Sequence, residues 1–319
     1  MNSFCKEISI KEIEGFEIGN AEIREAGTGC TVILAGEGAV TGLDVRGGGP
    51  ASRESALLNP LAANSSVNAV LLSGGSAFGL NAAAGVMDYL EERNLGFPTD
   101  CGVVPIVCAS CLFDLPVATA KIRPDRELGY QACMNAGNYR DGVYGAGTGA
   151  TVGKAMGMEH CMKAGIGSFA VQAGDLKIGA VVAVNALGNI VDPETGRTIA
   201  GILDDQLNFV DSIEAMLKGL PVQGVTNTTI GVILTNGAFN KTELTKIAGM
   251  AHNGYAMSIR PVHTMFDGDS IYAMSKGNVK ADINIAGALA AEVMSKAVIN
   301  AVLSAEDAYG IRSVKALGK

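Results

Sequence analysis

Glycine sets the first constraint on this chain. It fills 42 of 319 positions, about 13% where ordinary proteins carry ~7%. So much glycine calls for a fold in which backbones run close together or turn through conformations that side chains resist. The glycines keep no three-residue period, which excludes a collagen helix. With 48% hydrophobic and only 18% charged residues, the chain is too apolar to be disordered. A core of Gly, Ala, Val and Ile implies closely packed layers, and the length allows one large domain or two smaller ones.

Charge narrows the partners. The formal net charge is −8 and no dense basic patch is present, so a nucleic-acid partner is not expected. The seven cysteines are odd in number and scattered, and the N-terminal MNSFCKEISIKEIEG has no apolar signal-peptide region. Reduced thiols in a cytoplasm are the expectation. The uncharged stretch Ser55 to Met87 is long enough to raise the question of a membrane span. Asn59, Pro60, Asn64 and the Ser73-Gly74-Gly75-Ser76 turn interrupt it, so it reads as a buried strand, turn and helix, and no membrane partner is expected.

The apolar pattern places the main elements. Asn68–Leu72 reads as a buried strand, with Ser76 capping a helix that runs to about Asn94 and stops at Gly96. Ile178–Val184 and Ile230–Leu234 read as further strands. Asn240-Lys241-Thr242-Glu243 has the form of a capping box opening a helix that Gly254 closes. A last helix spans about Ile283 to Ala305, with Leu289, Val293, Lys296 and Ile299 at helical spacing. Lys218–Asn227 (KGLPVQGVTN) lacks periodicity and is the candidate boundary or surface loop.

Several familiar chemistries fail on spacing. His160, His252 and His263 show no paired metal-ligand spacing, and Cys108-Ala-Ser-Cys111 has no second CxxC, so no metal is expected. Gly145 to Lys154 is glycine-rich, but Thr148 stands where a phosphate loop needs its first glycine, and Ala155 follows the lysine. No nucleotide or other cofactor is expected. Gly74-Gly75-Ser76-Ala77-Phe78-Gly79 misses the serine-hydrolase elbow by one residue, which leaves Ser76 as a cap.

Asn227-Thr228-Thr229-Ile230-Gly231-Val232 offers another chemistry. A loop ends there in a hydroxyl residue at the first position of a buried strand. Cutting the bond before Thr228 would put its hydroxyl and a new α-amine on one residue. An α-amine titrates near 7.7–8.0, so it can serve as the hydroxyl's own base, and no histidine is required. An ordinary threonine-rich strand start accounts for the same residues. Further on, Asp267-Gly268-Asp269 is either a turn or a pair of carboxylates able to orient such an amine.

These segments together resemble a known family. VTGLDVRGG (Val40–Gly48), SRESALL (Ser52–Leu58), LLSGGSAFGLNAAAGVM (Leu71–Met87), GAGTGATVGK (Gly145–Lys154), MKAGIGS (Met162–Ser168), VVAVNALG (Val181–Gly188), NTTIGVILTN (Asn227–Asn236) and HTMFDGDSIYAMS (His263–Ser275) follow the order of the DmpA-like self-processing aminopeptidases, peptidase family S58. The Asn-Thr pair followed by Asp-Gly-Asp is most similar to the nylon-oligomer endohydrolase branch. The resemblance implies a single domain over 1–319, an α/β four-layer αββα sandwich of the N-terminal-nucleophile hydrolase type. It implies autocleavage between Asn227 and Thr228 into fragments 1–227 and 228–319, with Thr228 the nucleophile. Asn185 would stabilise the oxyanion, Asp267 and Asp269 would hold the Thr228 amine and hydroxyl, and Lys154 would join that network, with Lys163 its rival. Gly74, Gly75 and Ser76 are further candidates. Phe113 stands where relatives often carry a tyrosine. Substrates would be small peptides or amides, and the assembly a homo-oligomer, a tetramer or larger. An acetyltransferase of the ornithine type and an unprocessed binding protein are the alternatives.

Overall fold

The computed structural model describes residues 5–219 and 226–318. Backbone hydrogen bonds gather ten strands into one mixed sheet. In chain order these are β1 (Lys6–Ile8), β2 (Glu17–Ile23), β3 (Thr28–Val45), β4 (Ala51–Arg53), β5 (Ser66–Ser73), β6 (Val107–Cys111), β7 (Ile166–Ala173), β8 (Leu176–Asn185), β9 (Thr228–Gly237) and β10 (Ser270–Val279). Their spatial order is β1-β7-β8-β9-β10-β3-β5-β6-β4, with β2 also on β3. The helices that matter are α1 (Ala82–Glu91), α2 (Arg126–Met134), α3 (Lys241–Ser258) and α4 (Ile283–Leu303).

The 18-residue β3 explains how one hydrogen-bonded sheet makes two layers. Its first half pairs with β2 and β5, and its second half pairs with β10. The register with β5 breaks between Leu34 and Ala39, where Gly36 and Gly38 take positive φ and let the strand bend. The two arms then lie face to face. Strand alternation sorts the side chains. Val181, Ala183, Ile230, Val232, Tyr272 and Met274 of one arm meet Ile33, Val70, Leu72 and Cys108 of the other. Their neighbours Ile178, Ala180, Val182, Ile233 and Ile271 turn outward to α3 and α4. Val32, Leu34, Ala69, Leu71 and Val107 turn outward to α1 and α2. The result is helix, sheet, sheet, helix, as expected, with the two sheet layers joined through β3.

The parallel pairs β5–β6 and β9–β10 are each crossed by a helix, α1 and α3. The second crossover sets the distance from Thr228 to the Asp267–Asp269 turn, because β9 begins at the one and β10 follows the other.

Local expectations met mixed outcomes. The capping box forms as written, Glu243 N–H to Asn240 Oδ1 at 3.0 Å and Asn240 N–H to Glu243 Oε2 at 2.8 Å. Gly254 does not close that helix, which runs on to Ser258. A Cβ at 254 would strike the Ala291 carbonyl of α4, so this glycine serves helix contact rather than termination. Ser76 does not cap α1. It takes φ 56° after Gly75 (φ 80°), makes no cap hydrogen bond, and opens a 3-10 segment, Ser76–Asn81, that leads into α1. α1 ends at Glu91, and Asn94, in left-handed conformation, makes the turn expected of Gly96. On α4 the buried stripe is Ala286, Ala290, Val293, Ala297 and Ala301, while Leu289, Lys296 and Ile299 sit at its margin. The alanines let α4 come so close to β7 that Gly167 has no room for a Cβ against it. α4 is apolar and long enough to cross a membrane, but 61% of its most apolar window is buried in this core. Of the expected loop Lys218–Asn227, residues 220–225 lie outside the described residues.

Candidate active site

Thr228 opens β9, paired in register with Asn185, the last residue of β8. Pairing across an antiparallel ladder turns both side chains to the same face, here the inner one between the sheet layers. Thr228 is 3% exposed, and its hydroxyl donates to the carbonyl oxygen of Asn227. A second donor reaches that oxygen, the backbone N–H of Gly268 at 3.1 Å. The Asn227 N–H in turn donates to the Phe266 carbonyl at 2.8 Å, so the peptide before Thr228 is stitched to the turn before β10. The carbonyl that a Thr228 hydroxyl would attack is therefore held against that hydroxyl and against a backbone donor.

Asn185 is fully buried and its amide orientation is determined by its partners. Its Oδ1 accepts from Lys154 Nζ at 2.7 Å and from Thr151 N–H at 3.1 Å, and its Nδ2 donates to the Phe113 carbonyl at 2.8 Å. An amide nitrogen has two protons, so one remains for an oxyanion. Phe113 thus acts at the site through its backbone, and the missing tyrosine hydroxyl leaves this contact intact.

The two lysines separate. Lys154 also meets the Asn185 carbonyl at 3.1 Å and belongs to the Thr228 neighbourhood. Lys163 instead gathers the carbonyls of Gly147, Ala150 and Ala164 at 3.3, 2.8 and 2.6 Å, holding the glycine-rich segment in shape. Burial pushes both ammonium groups down to about 7. For Lys154 the charges of Cys161, Asp267 and Asp114 pull back upward.

The two carboxylates are engaged elsewhere in this uncut chain. Asp267 Oδ2 accepts from Thr264 N–H at 2.9 Å and from its hydroxyl at 2.5 Å. Burial, then the neighbouring Asp269 charge, raises Asp267 to about 6. Asp269 Oδ1 accepts the N–H of Thr229 at 2.7 Å, and its Oδ2 lies 2.8 Å from His263 Nδ1. Both therefore shape the strand and turn around Thr228, and neither has a hydrogen bond to Thr228 itself.

Asp114 was not singled out by the sequence. It is buried, accepts from Gly75 N–H at 2.6 Å and Thr28 Oγ1 at 2.7 Å, and burial raises it to about 6. A Cβ at Gly74 or Gly149 would collide with this carboxyl. Gly74 and Gly75 thus wrap Asp114, next to Phe113; Gly149 packs on the same carboxyl and Gly147 lends its carbonyl to Lys163, while Gly145 packs against β2 and β3 and Gly153 against Gly201. Gly47 to Gly49 do lie at the site, where Gly49 N–H donates to the Asp267 carbonyl at 2.8 Å. His263 and Gly268 were the other residues missed. The Asp-Gly-Asp pattern drew attention to its acids and away from the amide between them.

A model of peptidase family S58 matches residues 9–316. The chain belongs to peptidase family S58. An uncharacterized aminopeptidase of Mycobacterium bovis is 37% identical over 95% of this S58 chain and 96% of its own. The 6-aminohexanoate-oligomer endohydrolase of Paenarthrobacter ureafaciens is 33% identical over 91% of this chain and 84% of its own. The fold matches the L-aminopeptidase D-Ala-esterase/amidase of Ochrobactrum anthropi at TM-score 0.70, with 18% identity over 94% of this chain and 87% of that one. This S58 member is a hydrolase, which sets aside the non-enzymatic alternative.

The buried ionisable groups predict a pH profile for the uncut Thr228→Ala protein. Unfolded lysines titrate near 10.4. Between pH 7 and 10 the unfolded chain therefore binds more protons than the fold does at Lys154 and Lys163. Stability rises with pH there, by about 1.4 kcal/mol per unit for each lysine. Burial pushes the thiols of Cys108 and Cys133 up to about 12 and raises those of Cys30, Cys111 and Cys161 as well. They reverse the trend once pH passes about 8.5, the ordinary thiol value. Urea midpoints should climb from pH 7 to about 8.5 and then turn down. A midpoint that falls over the first interval contradicts this account of the lysines.

Proposed function

We propose that this hydrolase activates itself by cleaving Asn227–Thr228 and then hydrolyses small peptides or amides with Thr228 as an N-terminal nucleophile. One observation carries the reading: the Thr228 hydroxyl and the Gly268 N–H meet on the carbonyl oxygen of Asn227. In the first stage the hydroxyl oxygen attacks the Asn227 carbonyl carbon. Gly268 N–H and the free Asn185 N–H stabilise the oxyanion, each donor contributing about 2.7–4 kcal/mol. The C–N bond breaks, the hydroxyl proton passes to the departing nitrogen, and Asn227 becomes an ester on Thr228. Water hydrolyses the ester, leaving the Asn227 carboxylate and a free Thr228 amine.

In the second stage the same hydroxyl attacks a substrate amide. The Thr228 amine takes its proton and delivers it to the leaving amine, since its ordinary pKa of about 7.7–8.0 leaves part of it neutral at pH 7, and water then cleaves the acyl ester to release the carboxylate product and restore the Thr228 hydroxyl. Lys154, depressed to about 7 and bonded to Asn185, holds the oxyanion donor in place and shares charge with Asp267. The family relatives named as aminopeptidases and as a 6-aminohexanoate-oligomer endohydrolase support an amide substrate. We also place the chain in a homo-oligomer and, with seven unpaired cysteines, in a reducing compartment such as the cytoplasm.

The purified protein should resolve into two bands on a denaturing gel. Scaling 32.6 kDa by 227 and by 92 of 319 residues gives about 23 and about 9 kDa. A single full-length band after long incubation refutes self-processing. Acetyl transfer from N-acetylornithine without amide hydrolysis would select the transferase alternative.

A further inference from the structure

On the outer face of β9, turned toward α3, stands a set of buried polar atoms that the mechanism above leaves unused. Asp269 links it to the site. Its Oδ1 grips the N–H of Thr229, the residue after the nucleophile. Its Oδ2 faces both the backbone N–H and the ring Nδ1 of His263, at 3.1 and 2.8 Å. At the pH where Asp269 is ionised it can only accept, so His263 Nδ1 carries a proton. The far nitrogen, Nε2, is buried and has no protein partner among the described residues.

Three more such atoms belong to residues packed beside it or on the neighbouring face of β9. His252 packs edge-on against His263, ring centres 4.7 Å apart, and Tyr255 packs 5.4 Å from His252 and 6.1 Å from His263. Burial holds His252 neutral, down to about 3. Its Nε2 lies 3.1 Å from the Asp44 carbonyl, which only accepts, so Nε2 bears the proton and Nδ1 offers a lone pair. Gly231 makes room for the Tyr255 hydroxyl, which would come within 2.6 Å of a Cβ there, and Thr229 sits two residues earlier on the same face. His252 Nδ1, Tyr255 OH and Thr229 Oγ1 are all buried without a protein partner among the described residues. With neutral His263 the group comprises two ring acceptors and two hydroxyls. That is the donor and acceptor complement a buried water satisfies.

We propose that His263 is a positioning residue for the Thr228 site, and that His252, Tyr255, Thr229 and His263 together bind buried water that holds the His263 ring in its Nδ1-protonated form. The proposal rests on Thr228 being the nucleophile. Cleavage frees the end of β9 from residue 227, and the Asp269 bond to Thr229 then keeps Thr228 over Asn185. His263 keeps Asp269 aimed at that bond, and bound water on Nε2 keeps the His263 proton on the Asp269 side.

The test compares His263→Ala, His263→Asn and His263→Gln for self-cleavage rate and for kcat and KM on an aminoacyl p-nitroanilide. Asparagine places a donor near the Nδ1 position and glutamine places one near Nε2. Alanine and glutamine should each lower kcat by about 100-fold with little change in KM, because an ångström of misplacement has that cost, and asparagine should restore most of it. Nitrogen NMR of the Thr228→Ala protein at pH 8 should show His263 protonated at Nδ1, with a far-downfield ring proton that disappears in a Thr228→Ala, Asp269→Asn protein. Folded alanine and glutamine variants at wild-type kcat, or no rescue by asparagine, overturn the positioning role. An Nε2-protonated His263 overturns the water site. A wild-type protein that neither cleaves itself nor hydrolyses amides defeats the proposed function instead, and the NMR result still decides the His263–Asp269 pair.

Discussion

A Thr228→Ala chain remains one polypeptide of 32.6 kDa and loses amide hydrolysis, by something on the order of 10⁶-fold where a covalent nucleophile is removed. Both losses come from one atom. In the uncut chain the Thr228 hydroxyl has one hydrogen-bond partner among the described residues, the Asn227 carbonyl, so removing it forfeits only about 1 kcal/mol of stability. The variant should therefore melt close to the uncut fold while being inert. Thr228→Ser keeps the oxygen and should cleave itself. Intact mass and p-nitroanilide assays on the two variants check this. A Thr228→Ala chain that still divides at residue 227 would show that another group performs the cut.

Gly268→Ala slows self-cleavage by about 100-fold or more through a local clash at the turn before β10. The backbone at 268 is not left-handed, so the new side chain brings no φ strain. Its Cβ would stand 2.8 Å from Thr228 Oγ1, 2.8 Å from the Gly49 carbonyl and 3.2 Å from Pro50 Cα. Two of those three atoms are backbone on the opposite wall and cannot rotate away. The turn must shift, which pulls the Gly268 N–H off the Asn227 carbonyl, or the nucleophile must rotate. Either outcome removes an interaction present only at the reacting carbonyl. A quench-flow or gel time course of freshly made protein measures the rate. Cleavage at the wild-type rate would mean that neither the Gly268 donor nor the Thr228 rotamer matters.

What was legible in the sequence was whatever depends on local pattern. The unbroken apolar runs Ile178–Val184 and Ile230–Leu234 marked strands because both faces of each are covered, and the Asn240–Glu243 box is complete within four residues. Thr228 stood out because hydroxyl, loop and strand start are adjacent. The site's internal wiring was not legible. That Asn185 pairs with Thr228, 43 positions away, depends on the register of β8 and β9. Lys154 and Lys163 look alike in the sequence and are both buried, and only the fold shows that one reaches Asn185 while the other gathers carbonyls. Ser76 has the composition of a cap but a left-handed backbone, next to a Gly75 whose N–H is held by the distant Asp114, a contact that no local rule contains. Gly254 reads as a helix stop and proves to be the gap that admits α4. The glycine excess divides accordingly: Gly47 and Gly48 make room for the Met265–Asp269 turn, Gly268 makes room for Thr228, and most of the rest lets strands, helices and buried charges approach one another.

The central claim is that the chain divides before Thr228 by its own hydroxyl. Intact-mass spectrometry of purified wild-type protein, with N-terminal sequencing of the smaller species, tests it most directly. Two masses that sum to the full chain plus one water are expected, with a small fragment whose sequence begins Thr228-Thr229-Ile230-Gly231. One undivided mass, or a fragment beginning at any other residue, would contradict it.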